Sequence, residues 1–284
     1  MIIWLASYPK SGNTFMRSLL SSYYFSKDGN FEFDLLREIQ QFPLTEIFQK
    51  IGVDIKDKYS VSKNYIRAQE EINKSKNVIF LKTHSSFCKL YNKYNFSDLK
   101  NSLGVIYIVR DPRNVVTSFA THNSKSIENT ANLLIDDLAV GNENNEVEVY
   151  MGSWNFNFNS WKVFKSSDKY FLVKYEDLIK DTRKVFIETL KFINHLSFKK
   201  TVINEEKIDR VIETTNFSRM KKMEIEKGFN EAKIDEITGK KINFFNLGPN
   251  NNWKSQLKIE IQKKLENKFR KEMLELGYIW LSKE

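Results

Sequence analysis

Residues 8–14, Tyr-Pro-Lys-Ser-Gly-Asn-Thr, combine residue types that can hold an anion. They follow an apolar run at 2–6 and precede residues 15–20, and this pattern predicts a strand, a tight turn and a helix. Backbone N–H groups of such a turn and the positive end of the helix dipole point at one spot, where a phosphate can bind. Lys10 adds a full charge there, and Thr14 adds a hydroxyl donor. Because the lysine precedes the glycine, the loop is not a Walker A loop, and the pattern disfavours a nucleoside-triphosphate kinase.

Two further apolar runs each end in residues suited to chemistry on an anionic substrate. The run at 78–82 leads into Lys-Thr-His at 82–84, and the run at 104–109 leads into Arg110. If both runs are parallel strands, their carboxyl ends face the same crevice as the phosphate loop. His84 is then a candidate general base, and Arg110 is placed for a bidentate grip on a phosphate. The alternatives are a structural histidine and an arginine that pairs with a surface acid.

These motifs resemble those of sulfotransferases that use 3′-phosphoadenosine-5′-phosphosulfate (PAPS). Residues 8–15 are similar to that family's 5′-phosphosulfate loop, Tyr-Pro-Lys-Ser-Gly-Thr-Thr-Trp. Residues 82–84 are similar to the Lys-Thr-His motif that carries the family's catalytic base. Residues 110–118 resemble its 3′-phosphate signature, in which a serine follows the first arginine by eight residues, as Ser118 follows Arg110.

Shorter matches follow in the order that the family has them. Gly-Ser-Trp at 152–154 resembles a helix that packs behind the family's site. Tyr-Glu-Asp at 175–177 and Thr-Asn-Phe at 215–217 resemble segments that contact adenine. Phe15 stands where the family has a stacking tryptophan, and either ring can sandwich a purine.

The closing loop of the family is only partly present. Residues 244–254 resemble Arg-Lys-Gly-x-x-Gly-Asp-Trp-Lys and keep Gly248, but Asn246 and Leu247 replace the Arg-Lys pair that helps to hold the 3′-phosphate. The 3′-phosphate should then depend on Arg110, Ser118 and the amide around Gly248. Lysines that could fold back to compensate are Lys240, Lys241 and Lys254.

The resemblance implies roles in an in-line transfer of a sulfuryl group. His84 takes the proton from the acceptor, and Lys10 stabilises charge on the leaving phosphate. Lys82 supports the sulfonate, and Ser118 restrains Lys10. No metal is expected, because the leaving group is a stabilised phosphate anion. The residues expected to bind PAPS are Lys10, Ser11, Gly12, Asn13, Thr14, Phe15, Arg110, Ser118, Tyr175, Thr215, Phe217, Asn246 and Gly248.

Alternating apolar and amphipathic segments predict an α/β fold. Runs at 2–6, 78–82, 104–109 and 170–174 are typical of parallel strands that are buried on both faces. Helical patterns lie at 14–25, 112–121, 153–165, 182–194 and 255–276. The alternation predicts one domain over 1–284 with three layers, a central parallel sheet flanked by helices, and a P-loop-like phosphate-binding loop after the first strand.

Composition narrows the class of protein. The formal net charge of +9 suits multiply phosphorylated nucleotides, acidic membranes or nucleic acid, and does not choose among them. We expect no nucleic-acid partner, because zinc-finger, RNP and helix-turn-helix signatures are not recognisable. We read neither a signal peptide nor a membrane span, and we expect a cytoplasmic protein. A single cysteine, Cys88, excludes an internal disulfide and a cysteine-based metal cage.

Two long polar connections, 26–76 and 122–150, are predicted to be irregular and to form either substrate walls or surface decoration. Residues 126–149 contain no Lys or Arg but six acids, namely Glu128, Asp136, Asp137, Glu143, Glu146 and Glu148. If this segment covers the acceptor pocket, it favours amine-bearing acceptors. The alternative is a solvated acidic face.

The sequence therefore predicts an enzyme that transfers the sulfuryl group of PAPS to a hydroxyl or amine of a small-molecule acceptor. The acceptor itself is not identified by any motif. Two alternatives stand beside this prediction, a P-loop nucleotide kinase and a non-enzymatic basic module that binds nucleic acid.

Overall fold

The computed structural model describes residues 1–142, 147–198, 201–235 and 238–280. The strands in this part of the chain are β1 (Ile2–Ser7), β2 (Ile79–Thr83), β3 (Lys89–Leu90), β4 (Tyr94–Asn95), β5 (Ser102–Val109), β6 (Val140–Asn142), β7 (Glu148–Tyr150), β8 (Tyr170–Lys174), β9 (Lys233–Ile234) and β10 (Lys241–Ile242).

The α-helices are α1 (Asn13–Phe25), α2 (Thr45–Lys50), α3 (Lys58–Lys63), α4 (Tyr65–Asn73), α5 (Pro112–His122), α6 (Ile127–Ile135), α7 (Trp154–Ser160), α8 (Tyr175–Lys180), α9 (Thr182–Leu196), α10 (Glu205–Thr215), α11 (Phe217–Lys227), α12 (Ile259–Lys268) and α13 (Arg270–Glu275). Short 3₁₀ turns cover Phe33–Glu38, Trp161–Ser167, Gly248–Asn250 and Trp253–Ser255.

The central sheet is parallel and has the strand order β2-β1-β5-β8. Successive residues of β1 point to opposite faces, so that Ile2 and Trp4 enter one core while Ile3 and Leu5 enter the other. Because both faces are buried, the strand reads as a continuous apolar run, and all four predicted strands are confirmed.

Helices cover both faces of this sheet. On one face α1, α9 and α10 contribute apolar residues to a core with Ile3 and Leu5. On the other face α2–α7, α12 and α13 surround Trp4, whose ring packs against Phe42 and Trp161. The predicted three-layer α/β fold is confirmed. All four strands end at the same edge, so the segments after β1, β2, β5 and β8 meet there.

Two predicted helices have wrong bounds. The helix predicted at 255–276 is broken at Phe269, whose backbone (φ −108°, ψ 15°) lets its buried ring pack 5.1 Å from Trp154. The helix predicted at 153–165 ends at Ser160 and continues as a 3₁₀ turn. Tertiary packing decides where these two helices end, and the helical periodicity of a sequence contains no information on that packing.

The connection at 26–76 is not irregular. It contains α2, α3 and α4, and it places Phe42, Phe48 and Tyr65 in the core beside β1. Its polar composition reflects the exposed faces of short helices.

Among the described residues, the helices are too short or too polar to cross a membrane.

Candidate active site

A cavity of about 1270 Å³ opens at the carboxyl ends of the sheet strands. The residues after β1, β2, β5 and β8 line it, together with parts of α5, α11 and the loop before the 3₁₀ turn at Gly248. The predicted site residues on its wall are Lys10, Gly12, Asn13, Thr14, Phe15, Lys82, His84, Arg110, Ser118, Tyr175, Phe217, Asn246 and Gly248. In the described part of the chain, no group of three or more His, Cys, Asp or Glu is arranged to hold a metal ion.

The phosphate loop turns sharply because two of its residues have a left-handed backbone, Lys10 (φ 63°) and Gly12 (φ 100°). A Cβ on Gly12 would lie 2.4 Å from Cδ2 of Tyr175, so both the backbone and the close approach require glycine. Helix α1 begins directly after this turn, and the first N–H groups of a helix have no partner within it. Asn13 donates its side-chain amide to the Leu5 carbonyl (2.9 Å) and so ties the loop to β1.

Lys10 is the cation of this loop. Its ammonium nitrogen lies 3.8 Å from the centroid of the Phe244 ring, which is a cation–π contact between the phosphate loop and the closing loop. Ser118 lies on the cavity wall, and its proposed restraint of Lys10 stays a prediction. Ser11 is fully buried and outside the wall, and its contact with PAPS stays a prediction.

Arg110 is buried between the two loops. Its side chain donates to the Lys10 carbonyl (3.2 Å) and to the Gly248 carbonyl (3.3 Å), and its guanidinium carbon lies 4.2 Å from the Tyr175 ring centroid. Only 5% of the residue is exposed, and Nε has no hydrogen-bond partner among the described residues. Burial lowers the pKa of Arg110, against the opposing effect of the neighbouring Tyr175. A buried guanidinium with neutral carbonyl partners is suited to receive an anion.

His84 follows β2 and is held in one tautomer. Its Nδ1 lies 2.8 Å from the Ser7 carbonyl oxygen and 3.1 Å from the Ser7 hydroxyl. A carbonyl oxygen can only accept a hydrogen bond, so Nδ1 carries the proton in the neutral ring. Nε2 therefore keeps the lone pair that a general base needs.

Helix α7 and the 3₁₀ turn after it hold the His84 loop from behind. Asn157 Nδ2 donates to the carbonyls of His84 (2.9 Å) and Met151 (3.0 Å). Trp161 Nε1 donates to the Ser85 carbonyl (3.0 Å). The family resemblance at 152–154 thus corresponds to an element that positions the predicted base.

Replacing Asn157 with alanine should destabilise the protein and displace this loop. Three buried polar groups would lose a partner, namely the carbonyls of His84 and Met151 and the Tyr107 hydroxyl, which donates to Asn157 Oδ1 at 2.8 Å. An unsatisfied buried group costs roughly 1–3 kcal/mol, so we expect the free energy of unfolding to fall by at least about 2 kcal/mol. Urea denaturation measures it. Asn132→Ala on the exposed face of α6 is the control, and equal losses in both variants would contradict the assignment.

Two charged residues of the site were missed by the sequence reasoning, Arg17 and Glu231. The Glu231 carboxylate lies 2.5 Å from Arg17 Nη1 and 3.8 Å from Lys82 Nζ, and it accepts from the Thr14 hydroxyl at 3.2 Å. Burial alone would raise its pKa, but the charges of Lys82 and Arg17 and the hydrogen bonds hold that pKa at about 2. Arg17 could have been found, since it lies three residues after Thr14 on the same helix face.

The segments expected at adenine are only partly in place. Phe15 and Phe217 line the cavity, and a Cβ on Gly248 would lie 2.1 Å from Phe217 Cε2. Thr215 is fully buried away from the wall, and its hydroxyl donates to the Val211 carbonyl at 2.7 Å. The hydroxyl proton of Thr215 is thus used within its own helix, and the contact of this residue with adenine stays a prediction.

The closing loop carries a lysine that was not anticipated. Lys221 Nζ donates to the Asn246 carbonyl at 3.1 Å, two residues before Gly248. The lysines expected to fold back lie outside the cavity wall, and Lys254 packs beside the Trp253 ring instead.

Both long connections wall the remainder of the cavity. The first contributes Arg37 and residues 40–46 apart from Phe42. The second contributes the polar residues 122–125 and also Leu133, Val140, Gly141 and Val147. The described acids of 126–149 lie elsewhere; Glu148 pairs with Lys58, and Asp137 lies 3.6 Å from Lys268. Glu143 and Glu146 lie outside the described residues. The expectation of substrate walls fits this arrangement, and the preference for amine acceptors stays a prediction.

Comparison with solved structures agrees with the fold. A mouse sulfotransferase complexed with PAP matches with a TM-score of 0.61 and 18% identity, over 98% of this chain and 86% of that one. Retinol dehydratase in a complex with retinol and PAP matches with a TM-score of 0.60 and 18% identity, over 96% of this chain and 81% of that one. At such identities the likeness concerns the fold.

Sequence comparison finds relatives that match most of this chain. Human sulfotransferase 1E1 is 26% identical over 281 residues, which are 95% of this chain and 83% of the relative. The rabbit (Oryctolagus cuniculus) amine sulfotransferase is 23% identical over 98% of this chain and 83% of the relative. The sulfotransferase domain family model matches residues 2–277, which include every motif of the cavity. The chain therefore belongs to the sulfotransferase family, and it is an enzyme of that family.

Proposed function

We propose that this enzyme transfers the sulfuryl group of PAPS to a hydroxyl or amine of a small-molecule acceptor, within one domain that spans residues 1–284. The observation that carries the proposal is the placement of His84, whose Nδ1–H donates to the Ser7 carbonyl, in the same cavity as the phosphate loop and Arg110. The solved relatives complexed with PAP, one of them with retinol as well, support both the nucleotide and the small acceptor.

The residues present fit such a nucleotide. Arg110 offers a buried guanidinium to the 3′-phosphate, and the loop from Lys10 to Thr14 offers a cation, amides and a hydroxyl to the 5′-phosphosulfate. Aromatic rings of Phe15 and Phe217 lie on the wall and can stack on a purine. PAPS, when bound, supplies a sulfuryl group on a phosphate that leaves as a stabilised anion.

The residues of this chain position the reactants, supply a base and stabilise the charge that builds up during transfer. His84 Nε2 accepts the proton of the acceptor as the acceptor's oxygen or nitrogen forms its bond to sulfur. The bond from sulfur to the 5′-phosphate oxygen breaks at the same time, and Lys10 stabilises the charge that builds on that oxygen. Lys82 supports the sulfonate oxygens, and Ser118 restrains Lys10. We place the reaction in the cytoplasm, as the sequence predicts.

The purified protein should bind PAP in calorimetry and should transfer radiolabelled sulfate from PAPS to members of a pool of alcohols, phenols and amines. Failure to bind PAP, or turnover that requires ATP and magnesium, would overturn the proposal in favour of a kinase. Salt-sensitive binding of random oligonucleotides that PAP does not compete would favour a nucleic-acid-binding module instead. No observation in the cavity favours either alternative.

A further inference from the structure

The Glu231 carboxylate is held by the groups that an incoming anion would use. One oxygen lies 2.5 Å from Arg17 Nη1 and 3.8 Å from Lys82 Nζ. The other accepts a hydrogen bond from the Thr14 hydroxyl at 3.2 Å. Thr14 stands in the first turn of α1, where the helix dipole also favours negative charge.

Two of these partners, Thr14 and Lys82, are residues that the sequence assigns to the phosphosulfate of the donor. The third, Arg17, has no place in the sequence motifs. Its side chain is 9% exposed and lines the cavity, Nη2 donates to the Leu36 carbonyl at 2.6 Å, and Nε has no hydrogen-bond partner among the described residues. The other terminal nitrogen, Nη1, therefore points at the Glu231 carboxylate or at an anion that takes its position.

Glu231 lies in the segment 228–234, which follows α11 and lines the cavity at residues 230–234. It follows α11 at Gly228, which has a left-handed backbone (φ 78°) and no neighbouring atom within 4 Å of a Cβ built there. Residues 230–234 then line the cavity wall up to β9. The Glu231 carboxylate meets Thr14, Arg17 and Lys82 through a hydrogen bond and ion pairs, which an anion of equal charge can also make.

We infer that Thr14, Arg17 and Lys82 form the binding site for the donor's sulfonate, and that the Glu231 carboxylate stands in this site until the donor enters. The inference rests on the proposed function and deepens it. It adds Arg17 as a residue that contacts the transferable group, and it makes Glu231 a determinant of donor selectivity. A carboxylate and a sulfonate each carry one negative charge and present oxygens to the same donors, so they compete.

This competition separates PAPS from PAP. The two nucleotides share the adenosine and both phosphates, but only PAPS carries the sulfonate. PAP can bind while Glu231 keeps its partners, whereas PAPS has to displace the carboxylate. Neutralising Glu231 should therefore strengthen the binding of PAPS more than that of PAP.

Calorimetric titration of four variants with PAPS and PAP tests the inference. In Glu231→Gln the ratio of PAPS affinity to PAP affinity should rise about tenfold or more, since a charged hydrogen bond no longer has to be displaced. In Arg17→Met the ratio should fall about tenfold, while Arg17→Lys should recover part of it. Arg37→Met is the matched control, because Arg37 also lines the cavity but lies 73% exposed beside Asp34.

An unchanged ratio in Glu231→Gln, or weaker PAPS binding, would overturn the inference, because a carboxylate that only orders Arg17 and Lys82 would assist the donor. The proposed function is tested separately by PAP binding to the unaltered enzyme. If neither nucleotide binds, thermal unfolding in the presence of inorganic sulfate tests whether Thr14, Arg17 and Lys82 bind an anion that competes with Glu231. Sulfate should raise the melting temperature of Glu231→Gln more than that of the unaltered protein, and Arg17→Met in the same chain should abolish the gain. Equal shifts in all three proteins would contradict the site.

Discussion

Replacing His84 with glutamine should lower the rate of sulfuryl transfer about 10²–10⁴-fold, which is the usual contribution of a general base. Glutamine retains a side chain of similar length and can still contact the Ser7 carbonyl through its amide, so the loop should keep its path. What it lacks is a nitrogen lone pair that accepts a proton at neutral pH. The binding of PAP should stay within about threefold of that of the unaltered enzyme, because the base does not contribute to holding the nucleotide.

Single-turnover kinetics with PAPS and an acceptor found in the pool measures this effect, and calorimetry measures the binding of PAP. His195→Gln is the control, since His195 is exposed at the end of α9 and outside the cavity wall. His122 provides a second comparison, because it lines the cavity at the end of α5. If His122→Gln lost the activity and His84→Gln kept it, the base would be His122.

Replacing Arg110 with alanine should weaken the binding of PAP about 10²–10⁴-fold, since a bidentate grip consists of two charged hydrogen bonds of roughly 1.5–3 kcal/mol each. The residue is 5% exposed, so water screens such a grip little. The affinity for adenosine 5′-phosphate, which lacks the 3′-phosphate, should fall far less. The preference for PAP over that nucleotide should therefore largely disappear.

Calorimetry of both nucleotides measures this preference, and thermal unfolding checks that the loops joined by Arg110 remain folded. Lys240→Ala and Lys254→Ala are controls for the lysines that the sequence suggested as substitutes, and Lys221→Ala tests the lysine beside Asn246. A preference that survives in Arg110→Ala and vanishes in one of these variants would assign the 3′-phosphate to that lysine.

Much of the fold and of the site could be predicted, because both depend on residues adjacent in the chain. The strands are buried on both faces, so each one reads as an apolar run, and each motif begins at the end of such a run or within a few residues after it. The phosphate loop, His84 and Arg110 follow from that rule together with the order of parallel strands.

The contacts between distant segments could not be predicted. Glu231 meets Thr14 across 217 residues of chain, and nothing in either segment marks the other as a partner. The contact of the Thr215 hydroxyl with the Val211 carbonyl is likewise not visible in the motif that contains Thr215. Motifs report which residue types are available, and only the packing of segments decides which atoms face the cavity.

The partner that fixes the His84 tautomer belongs to the main chain. Every residue at position 7 carries a carbonyl, so mutation there cannot delete the acceptor of the Nδ1 proton, although it can remove the hydroxyl. The tautomer of His84 therefore does not depend on which side chain stands at position 7, at the end of β1. Evolutionary drift at position 7 should be limited by the space beside Asn13, whose amide lies 3.1 Å from the Ser7 hydroxyl, and not by the acid–base chemistry.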